Sequence, residues 1–353
     1  MSVVKFAIVG TGWVAGEYAK AVLACPEAEL RCIVSSDAER AARQAGNWGV
    51  DARIYTDYAE MLRDPQVDAV ILCSTANVRP EQAVLAARQG KHLVMEKPLA
   101  MNRAGVRTMA EALRENPVTT SVGFVLRWNP GFETIKALID DDALGRVFMA
   151  QIDYWNHIGP QLNQYRWSRT REYGGSSMLS AGCHAVDALR LFVGEAVEVT
   201  AYSAATWANS DYEFDPNAIA IFKLKNGGIA KVSSSLECKT PYRFNIHLLG
   251  EKGSIVNNSI FSHKFPGQTD YAAIPTVMPE NGDVAFFPFN LAVAEFVSAV
   301  RLGGRTRCDF ADAYRSMELC FAIDESIATG NSVAIGDGEY AKTAGNLSET
   351  GGI

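Results

Sequence analysis

The sequence predicts an α/β protein with two domains: a doubly wound parallel sheet, then an α+β domain with a large, mostly antiparallel open sheet. The length of 353 residues fits two domains of ordinary size. Short apolar runs alternate with helical stretches over residues 1–123, which is the pattern of βαβ units in a parallel sheet. After residue 124 strand-like segments follow one another, and Asn226-Gly227-Gly228 between two of them is typical of a hairpin turn.

The first predicted domain, residues 1–123, contains five short runs rich in apolar and β-branched residues, which favour strands. Stretches with helical periodicity separate these runs. The predicted strands are Val4–Val9, Leu30–Val34, Ala69–Cys73, His92–Met95 and Thr120–Phe124. The predicted helices are Val14–Cys25, Asp37–Gln44, Tyr58–Arg63, Pro80–Gln89 and Arg103–Glu115.

The second predicted domain, residues 124–340, is expected to bind the substrate and to form an oligomer. Its predicted strands are Val147–Tyr154, Val197–Tyr202, Ala218–Leu224, Ile229–Ser235, Tyr242–Leu249 and Ser254–Asn257. Its predicted helices are Gly131–Ile139, Cys183–Phe192, Leu291–Leu302 and Ala311–Thr329. Strand segments such as Ala218–Leu224 and Ile229–Val232 carry apolar residues on both faces, and such strands need both faces covered. We therefore expect a homodimer or homotetramer in which a second copy covers the outer face of the sheet. Residues 341–353 are rich in Gly, Ser and Thr, which predicts a flexible tail.

Composition narrows the possible functions. The chain has 33 Lys plus Arg and 40 Asp plus Glu, a net charge of −7, which argues against a dedicated nucleic-acid binder. It contains no apolar run long enough to predict a membrane span. Its seven cysteines are odd in number and lack C-x-x-C spacing, which favours reduced thiols in a cytoplasmic protein. No cluster has metal-ligand spacing, so no metal is expected. A small-molecule substrate is the expected partner.

A glycine motif follows the first predicted strand and opens the first predicted helix. It reads Gly10-Thr11-Gly12-Trp13-Val14-Ala15. The first glycine of such a motif permits a tight turn, the second lets the backbone approach a pyrophosphate, and a small residue at the last position allows close helix–strand packing. This context predicts a dinucleotide-binding Rossmann domain. The alternative is a glycine turn that serves packing alone.

The end of the second predicted strand indicates which dinucleotide binds. Ser35 and Ser36 stand where an NAD enzyme usually has an acidic residue that binds the ribose hydroxyls. Without that carboxylate, two hydroxyls and the Arg40 guanidinium are able to bind a 2′-phosphate, which favours NADP over NAD. In the alternative interpretation Asp37 caps the following helix and Arg40 is an ordinary solvated residue.

Glu96, Lys97 and Pro98 follow the fourth predicted strand, at the edge where parallel sheets bind ligands. Pro98 restricts the backbone just after Lys97. A lysine beside a bound nicotinamide is suited to proton transfer, and Glu96 is suited to holding its charge in place.

These features together resemble the glucose–fructose oxidoreductase / inositol dehydrogenase / rhizopine catabolism (Gfo/Idh/MocA) family, from about residue 4 to about residue 336. The matching segments up to residue 130 are Gly10–Ala15, Ser74-Thr75-Ala76-Asn77, Gly90-Lys91-His92, Glu96-Lys97-Pro98, Gly123-Phe124 and Arg127-Trp128-Asn129-Pro130. Those in the second domain are Gly174-Gly175-Ser176, Gly182-Cys183-His184 and Asp187. The resemblance implies a Rossmann domain, an α+β domain with an open sheet, and NAD(P)-linked oxidoreduction of sugars, cyclitols or their keto forms.

Residue roles carry over from this resemblance position by position. Lys97 and His184 match the family's catalytic lysine and histidine, and Asp187 matches an acidic residue suited to orienting His184 or binding a substrate hydroxyl. The remaining cofactor-binding residues implied are Ser74, Thr75, Asn77 and Glu96. The remaining substrate-binding candidates are Arg127, Tyr154, Trp167 and Ser180. Tyr154 and Trp167 have faces suited to sugar C–H surfaces, although packing beneath a loop explains such aromatics equally well.

Two positions depart from the family pattern. Many members carry Asp four residues before the histidine, whereas this chain has Ser180, which leaves Lys97 and His184 as the proton-transfer pair. Members often carry a histidine soon after the position of Asn77. Here Arg79 and Pro80 occupy that stretch, so we expect a different contact there.

The sequence thus predicts an NAD(P)-dependent oxidoreductase that transfers hydride between nicotinamide and a sugar, a cyclitol or a related polyhydroxylated carbonyl/alcohol. Two alternatives stay open. One is an NAD-dependent glycoside hydrolase that uses transient oxidation. The other is a cofactor-binding regulator that has lost catalysis, which the replacement at Ser180 favours and the retention of Lys97 and His184 opposes.

Overall fold

The computed structural model describes residues 3–162, 164–207 and 210–336. The chain divides into two compact units. The first contains the chain up to Val125 together with Phe287–Tyr314, and the second contains Leu126–Phe286 and the chain from Arg315 onward. The predicted tail, 341–353, lies outside the described residues.

A six-stranded sheet forms the centre of the first unit. Its order is β3-β2-β1-β4-β5-β6 and all neighbouring strands are parallel, which confirms the predicted doubly wound sheet. The strands are β1 Val4–Val9, β2 Ala28–Val34, β3 Arg53–Tyr55, β4 Ala69–Leu72, β5 His92–Met95 and β6 Thr120–Val122. Strand β3 was not predicted from the sequence, because its three residues form a strand only through pairing with Cys32–Val34 of β2.

Five helices connect these strands, close to the predicted positions. They are α1 Trp13–Leu23, α2 Ala38–Trp48, α3 Tyr58–Leu62, α4 Arg79–Arg88 and α5 Arg103–Glu115. The side chains of Asp37, Asp57 and Asn102 accept backbone N–H groups at the starts of α2, α3 and α5, which satisfies donors that a helix start leaves open. Helix α2 is longer than predicted and ends at Gly49, whose φ of 70° suits glycine.

The second unit is built on a nine-stranded sheet of order β14-β13-β12-β11-β7-β10-β9-β8-β15. Among the strands that the structure describes, only β7 and β10 pair in parallel, which confirms a mostly antiparallel sheet. The strands are β7 Val147–Trp155, β8 Ala196–Ala204, β9 Asn217–Leu224, β10 Ile229–Ser235, β11 Arg243–Gly250, β12 Gly253–Val256, β13 Ser259–Ser262, β14 Ala272–Ala273 and β15 Val333–Ala334. The sequence analysis missed the short strands β13, β14 and β15.

Helices α6 Pro130–Asp140, α7 Tyr165–Ser168 and α8 Cys183–Val193 accompany this sheet, together with a π-helical turn, Met178–Gly182, that leads directly into α8. Two longer helices follow, α9 Phe289–Leu302 and α10 Phe310–Thr329. None of the helices within the described residues is long and apolar enough to cross a membrane.

Residues 287–314, which the sequence analysis placed in the second domain, lie in the first compact unit. They belong to the first unit because their aromatic residues pack on the first sheet and on α1. The rings of Phe6 and Phe296 lie 5.9 Å apart, and those of Tyr18 and Phe289 lie 4.8 Å apart. Burial of such large apolar side chains outweighs their distance along the chain.

Candidate active site

The glycine motif forms a turn with open space above the start of α1. Gly10 has a φ of +102°, and a Cβ there would lie 3.2 Å from the carbonyl oxygen of Cys73, so only glycine suits the position. Gly12 is the N-cap of α1 and supplies no side-chain cap. A Cβ on Gly12 would meet nothing within 4 Å. Uncapped N–H groups facing open space at a helix N-terminus fit the diphosphate of a dinucleotide.

The residues predicted to select the cofactor lie where β2 leads into α2. Asp37 accepts the backbone N–H of Arg40 at 2.9 Å, and its own N–H donates to the hydroxyl of Ser35 at 3.2 Å. The carboxylate of Asp37 therefore serves as the helix cap that the alternative interpretation described. The Arg40 guanidinium, in contrast, reaches back to the carbonyl oxygen of Thr11 at 3.5 Å, so it lies over the glycine turn.

Lys97 follows β5 at the carboxyl edge of the first sheet, next to the buried carboxylate of Glu96. The hydroxyl of Tyr18 donates to Glu96 Oε1 at 2.9 Å. Gly123 leaves room for this contact, since a Cβ there would lie 2.4 Å from Glu96 Oε1. Burial raises the pKa of Glu96, and the positive charges of Lys97 and Arg79 oppose that rise.

The loop after β4 carries the other cofactor-binding candidates. Ser74 donates its hydroxyl to Gln82, and the hydroxyl of Thr75 donates to Asn77 Oδ1 at 2.6 Å. Because β4 and β5 are neighbouring parallel strands, this loop and the Lys97 segment leave the same edge of the sheet.

Arg79 is a buried residue of this region that the sequence analysis did not assign to the site. Its guanidinium donates one hydrogen bond to the carbonyl oxygen of Ser74 and another to that of Pro98, so it joins the two segments. The available signal was the departure from the family pattern at this position.

The histidine candidate lies at the start of α8 in the second unit. His184 is buried, and its ring stacks on that of Tyr154 with centroids 5.9 Å apart and planes at 23°. Ser180, the position where the family often has a carboxylate, lies in the π-helical turn just before α8. Such π turns inside helices frequently occur at functional sites. The structure therefore brings Tyr154 to His184, while Trp167 lies on α7 with 46% of its surface exposed.

Asp187 and Arg127 form a buried, two-pronged ion pair in the second unit. Arg127 Nε lies 2.7 Å from Asp187 Oδ2, and Arg127 Nη2 lies 2.5 Å from Asp187 Oδ1. The hydroxyl of Ser316 also donates to Asp187 Oδ1 at 2.7 Å, and it accepts from Arg190 Nη1 at 2.8 Å. The predicted role of Arg127 and Asp187 in substrate binding stays a prediction, and the ion pair gives both a structural role.

Comparisons with known proteins agree with this architecture. A family model described as an oxidoreductase family with an NAD-binding Rossmann fold matches residues 4–124, and the GFO/IDH/MocA C-terminal domain matches residues 132–256. The chain is 27% identical over 341 residues to 1,5-anhydro-D-fructose reductase of Ensifer adhaerens, covering 95% of this chain and 99% of that protein. It is 26% identical over 332 residues to D-xylose 1-dehydrogenase (NADP(+)) 2 of Haloferax volcanii, covering 94% of this chain and 99% of that protein.

Solved structures share the fold over nearly the whole chain. A levoglucosan dehydrogenase in complex with NADH superposes with a TM-score of 0.85 and covers 95% of this chain and 100% of its own. Its sequence identity is 21%, so this likeness shows the fold alone.

Proposed function

Because the chain belongs to the Gfo/Idh/MocA family of NAD-binding oxidoreductases, we propose that it transfers hydride between a nicotinamide dinucleotide and a sugar or cyclitol. The observation that carries the proposal is the edge of the first sheet, where the open glycine turn and Lys97 follow parallel strands. Similarity to enzymes named for 1,5-anhydro-D-fructose and D-xylose supports a polyhydroxylated substrate.

Lys97 and His184 are the proposed proton-transfer residues. The bound nicotinamide supplies or accepts the hydride, so the side chains have to bind the reacting oxygen and exchange its proton. Lys97 and His184 both have side chains whose N–H groups are able to do this, whereas Ser180 offers only a hydroxyl. The stacking of His184 on Tyr154 restricts the orientation of its ring.

The test is a panel of 1,5-anhydro-D-fructose, D-xylose, levoglucosan and myo-inositol with oxidised and reduced NADP and NAD. Net change in the absorbance of the reduced nicotinamide is the expected result for at least one substrate. Release of sugar from a glycoside without net cofactor change would instead indicate the hydrolase. Cofactor binding with neither reaction would indicate the regulator.

For the cofactor we propose a preference for NADP(H) over NAD(H). Three features support it: Ser35 and Ser36 replace an acidic residue, Asp37 is engaged as the α2 cap, and Arg40 lies over the glycine turn. A single charge-assisted hydrogen bond to the 2′-phosphate contributes about 1.5–3 kcal/mol.

We therefore expect NADP(H) to bind roughly tenfold more tightly than NAD(H), or better. Ser35→Asp should invert this preference by repulsion of the phosphate, and Arg40→Ala should weaken NADP(H) while barely changing NAD(H). Arg43→Ala, further along α2, is the matched control. Titration of both cofactors by fluorescence decides, and equal affinities in the wild type would contradict the preference.

We further propose that the outer face of the nine-stranded sheet forms a homo-oligomer. On β9 the residues alternate, with Ala220 and Phe222 buried while Ile219 and Ile221 are 49% and 57% exposed. The register places Tyr202, Ile229, Met149 and Leu249 on the same exposed face. These six exposed apolar side chains, which share the face with Lys223 and Lys231, favour contact with a second copy.

Light scattering at micromolar concentration is expected to give a dimer or tetramer. Ile221→Glu should shift the protein toward smaller species, because it places a charge in the apolar face. Leu302→Glu, at an exposed leucine of the first unit, should leave the mass unchanged. A monomeric wild type would overturn the proposal.

A further inference from the structure

We propose that Arg79 is a positioning residue for Lys97, which holds the Lys97 segment against the loop after β4. The inference rests on the proposed function, in which Lys97 exchanges the proton of the substrate. Arg79 is not assigned to contact substrate or cofactor. It acts through the backbone and the charge of its neighbours.

The geometry places Arg79 between two backbone segments. The buried Arg79 guanidinium donates to the carbonyl oxygens of Ser74 and Pro98, which belong to the loop after β4 and to the segment after β5. Pro98 follows Lys97 directly, so the contact fixes the backbone next to the lysine. Only arginine presents several N–H groups in a rigid fork that is able to bridge two acceptors in this way.

The charge of Arg79 also acts on the neighbours of Lys97. Arg79 is buried, and the negative charge of Glu96 opposes the lowering of its pKa that burial causes. Glu96 faces Tyr18 of α1, Arg79 of α4, the neighbouring Lys97 and the thiol of Cys73. A buried cation is costly unless it is compensated. The Arg79 charge beside Glu96 therefore contributes to the charge balance around Lys97.

The chain offers a matched control at the other end of the same strand. Lys91, just before β5, also joins two backbone carbonyls, here with a partly buried cation: its Nζ donates to Asp64 O at 2.9 Å and to Val67 O at 2.7 Å. Lys91→Met thus removes a similar bridge in the same unit but far along the strand from Lys97. Arg79→Met removes both the positive charge and the two guanidinium hydrogen bonds, whereas Arg79→Lys keeps the positive charge without the guanidinium.

Kinetics give the first readout, with whichever substrate of the panel the wild type turns over. We expect Arg79→Met to lower kcat roughly 100-fold, the effect of a misplaced catalytic group. The Kd for NADPH and the Tm should change no more than in Lys91→Met. Arg79→Lys should recover part of kcat. Removing Arg79 also removes a charge that lowers the pKa of Glu96, so the acid limb of the kcat/KM profile should move to higher pH in Arg79→Met.

The second readout does not need turnover. Lys97 is trace-labelled with acetic anhydride in the NADPH-bound protein, and its labelling is measured by mass spectrometry against Lys20 and Lys223 in the same sample. The proposal predicts that Arg79→Met changes this ratio and that Lys91→Met leaves it unchanged. If no panel substrate reacts, the proposed function fails, while the labelling still decides the positioning role.

The proposal is overturned if both Arg79 variants match Lys91→Met in kcat, pH profile and labelling. It is also overturned if Arg79→Met lowers only the Tm, because that result assigns Arg79 to stability alone. If Arg79→Met does not fold, Arg79→Lys carries the test: a kcat and a Lys97 labelling ratio equal to the wild type would then refute it.

Discussion

Two buried carboxylates, one in each unit, lie close in sequence to the proposed proton-transfer residues and are held in different ways. Glu96 directly precedes Lys97 and accepts a hydrogen bond from the hydroxyl of Tyr18. Burial raises the pKa of Glu96. Asp187 lies three residues after His184. It accepts hydrogen bonds from Nε and Nη2 of Arg127 and from the hydroxyl of Ser316.

The difference indicates different tasks. The charge of Asp187 is balanced by its own ion partner, so it fastens α8 and with it the backbone that carries His184. Burial raises the pKa of Glu96, and the charges of Lys97 and Arg79 oppose that rise, so we infer that its protonation responds to the charge on Lys97. We therefore infer that Asp187 serves mainly stability, whereas Glu96 serves the charge balance of the proposed site.

The largest expected effect tests the proposed proton-transfer role of Lys97, the residue next to Glu96. Lys97→Ala should lower kcat about 1000-fold, within the range that general acid–base groups contribute. Cofactor binding should persist, because the glycine turn and α1 are unchanged. Steady-state kinetics and NADPH titration measure both, with Lys91→Ala as the control. Turnover close to the wild type would remove Lys97 from the mechanism.

The next effect tests the stabilising role of the Arg127–Asp187 ion pair. Arg127→Met should lower the free energy of unfolding by about 3–5 kcal/mol, because it leaves the buried Asp187 charge without its partner. Urea unfolding measures this. Arg146→Met is the control, since Nε and Nη2 of Arg146 both donate to Glu251 Oε1 on the surface, and the loss of this pair should cost about 1 kcal/mol or less. Equal losses in the two variants would contradict the assigned difference.

A smaller effect distinguishes the two carboxylates by pH. Tyr18→Phe removes a hydrogen bond to a buried carboxylate and should cost about 1.5–3 kcal/mol of unfolding free energy when Glu96 is ionised. The native pKa of Glu96 is already raised, so its ionisation lowers stability as pH rises through that pKa. Tyr18→Phe raises that pKa further. Its destabilisation should therefore be larger at roughly pH 8 than at roughly pH 5.

Tyr58→Phe provides the control for this pH dependence. The hydroxyl of Tyr58 donates to the carbonyl oxygen of Gln82 at 2.7 Å, an acceptor that does not titrate. Its loss should be the same at both pH values. If Tyr18→Phe also lost the same unfolding free energy at both pH values, Glu96 would keep one protonation state throughout. That result would contradict the assigned difference between Glu96 and Asp187.

Local sequence determined the regular elements with strong patterns. The bounds of α5 and β10 agree with the prediction at both ends. Helical periodicity and an Asn cap define α5, and alternation after a glycine turn defines β10. Both signals act over a few residues. The glycine motif between β1 and α1, the parallel and the mostly antiparallel sheet, and the family were likewise predictable and are confirmed. The roles of the site residues stay predictions.

Tertiary structure alone decided the features that join distant parts of the chain. Strand β3 exists through its pairing with β2, and residues 287–314 join the first unit through contacts such as Phe6–Phe296. Arg127 and Asp187 are 60 residues apart, and Tyr18 and Glu96 are 78 apart. Local preferences extend only a few residues along the chain. Such pairs are selected instead by the burial of charge and apolar surface when the whole unit folds, because a buried polar group is stable only with a partner.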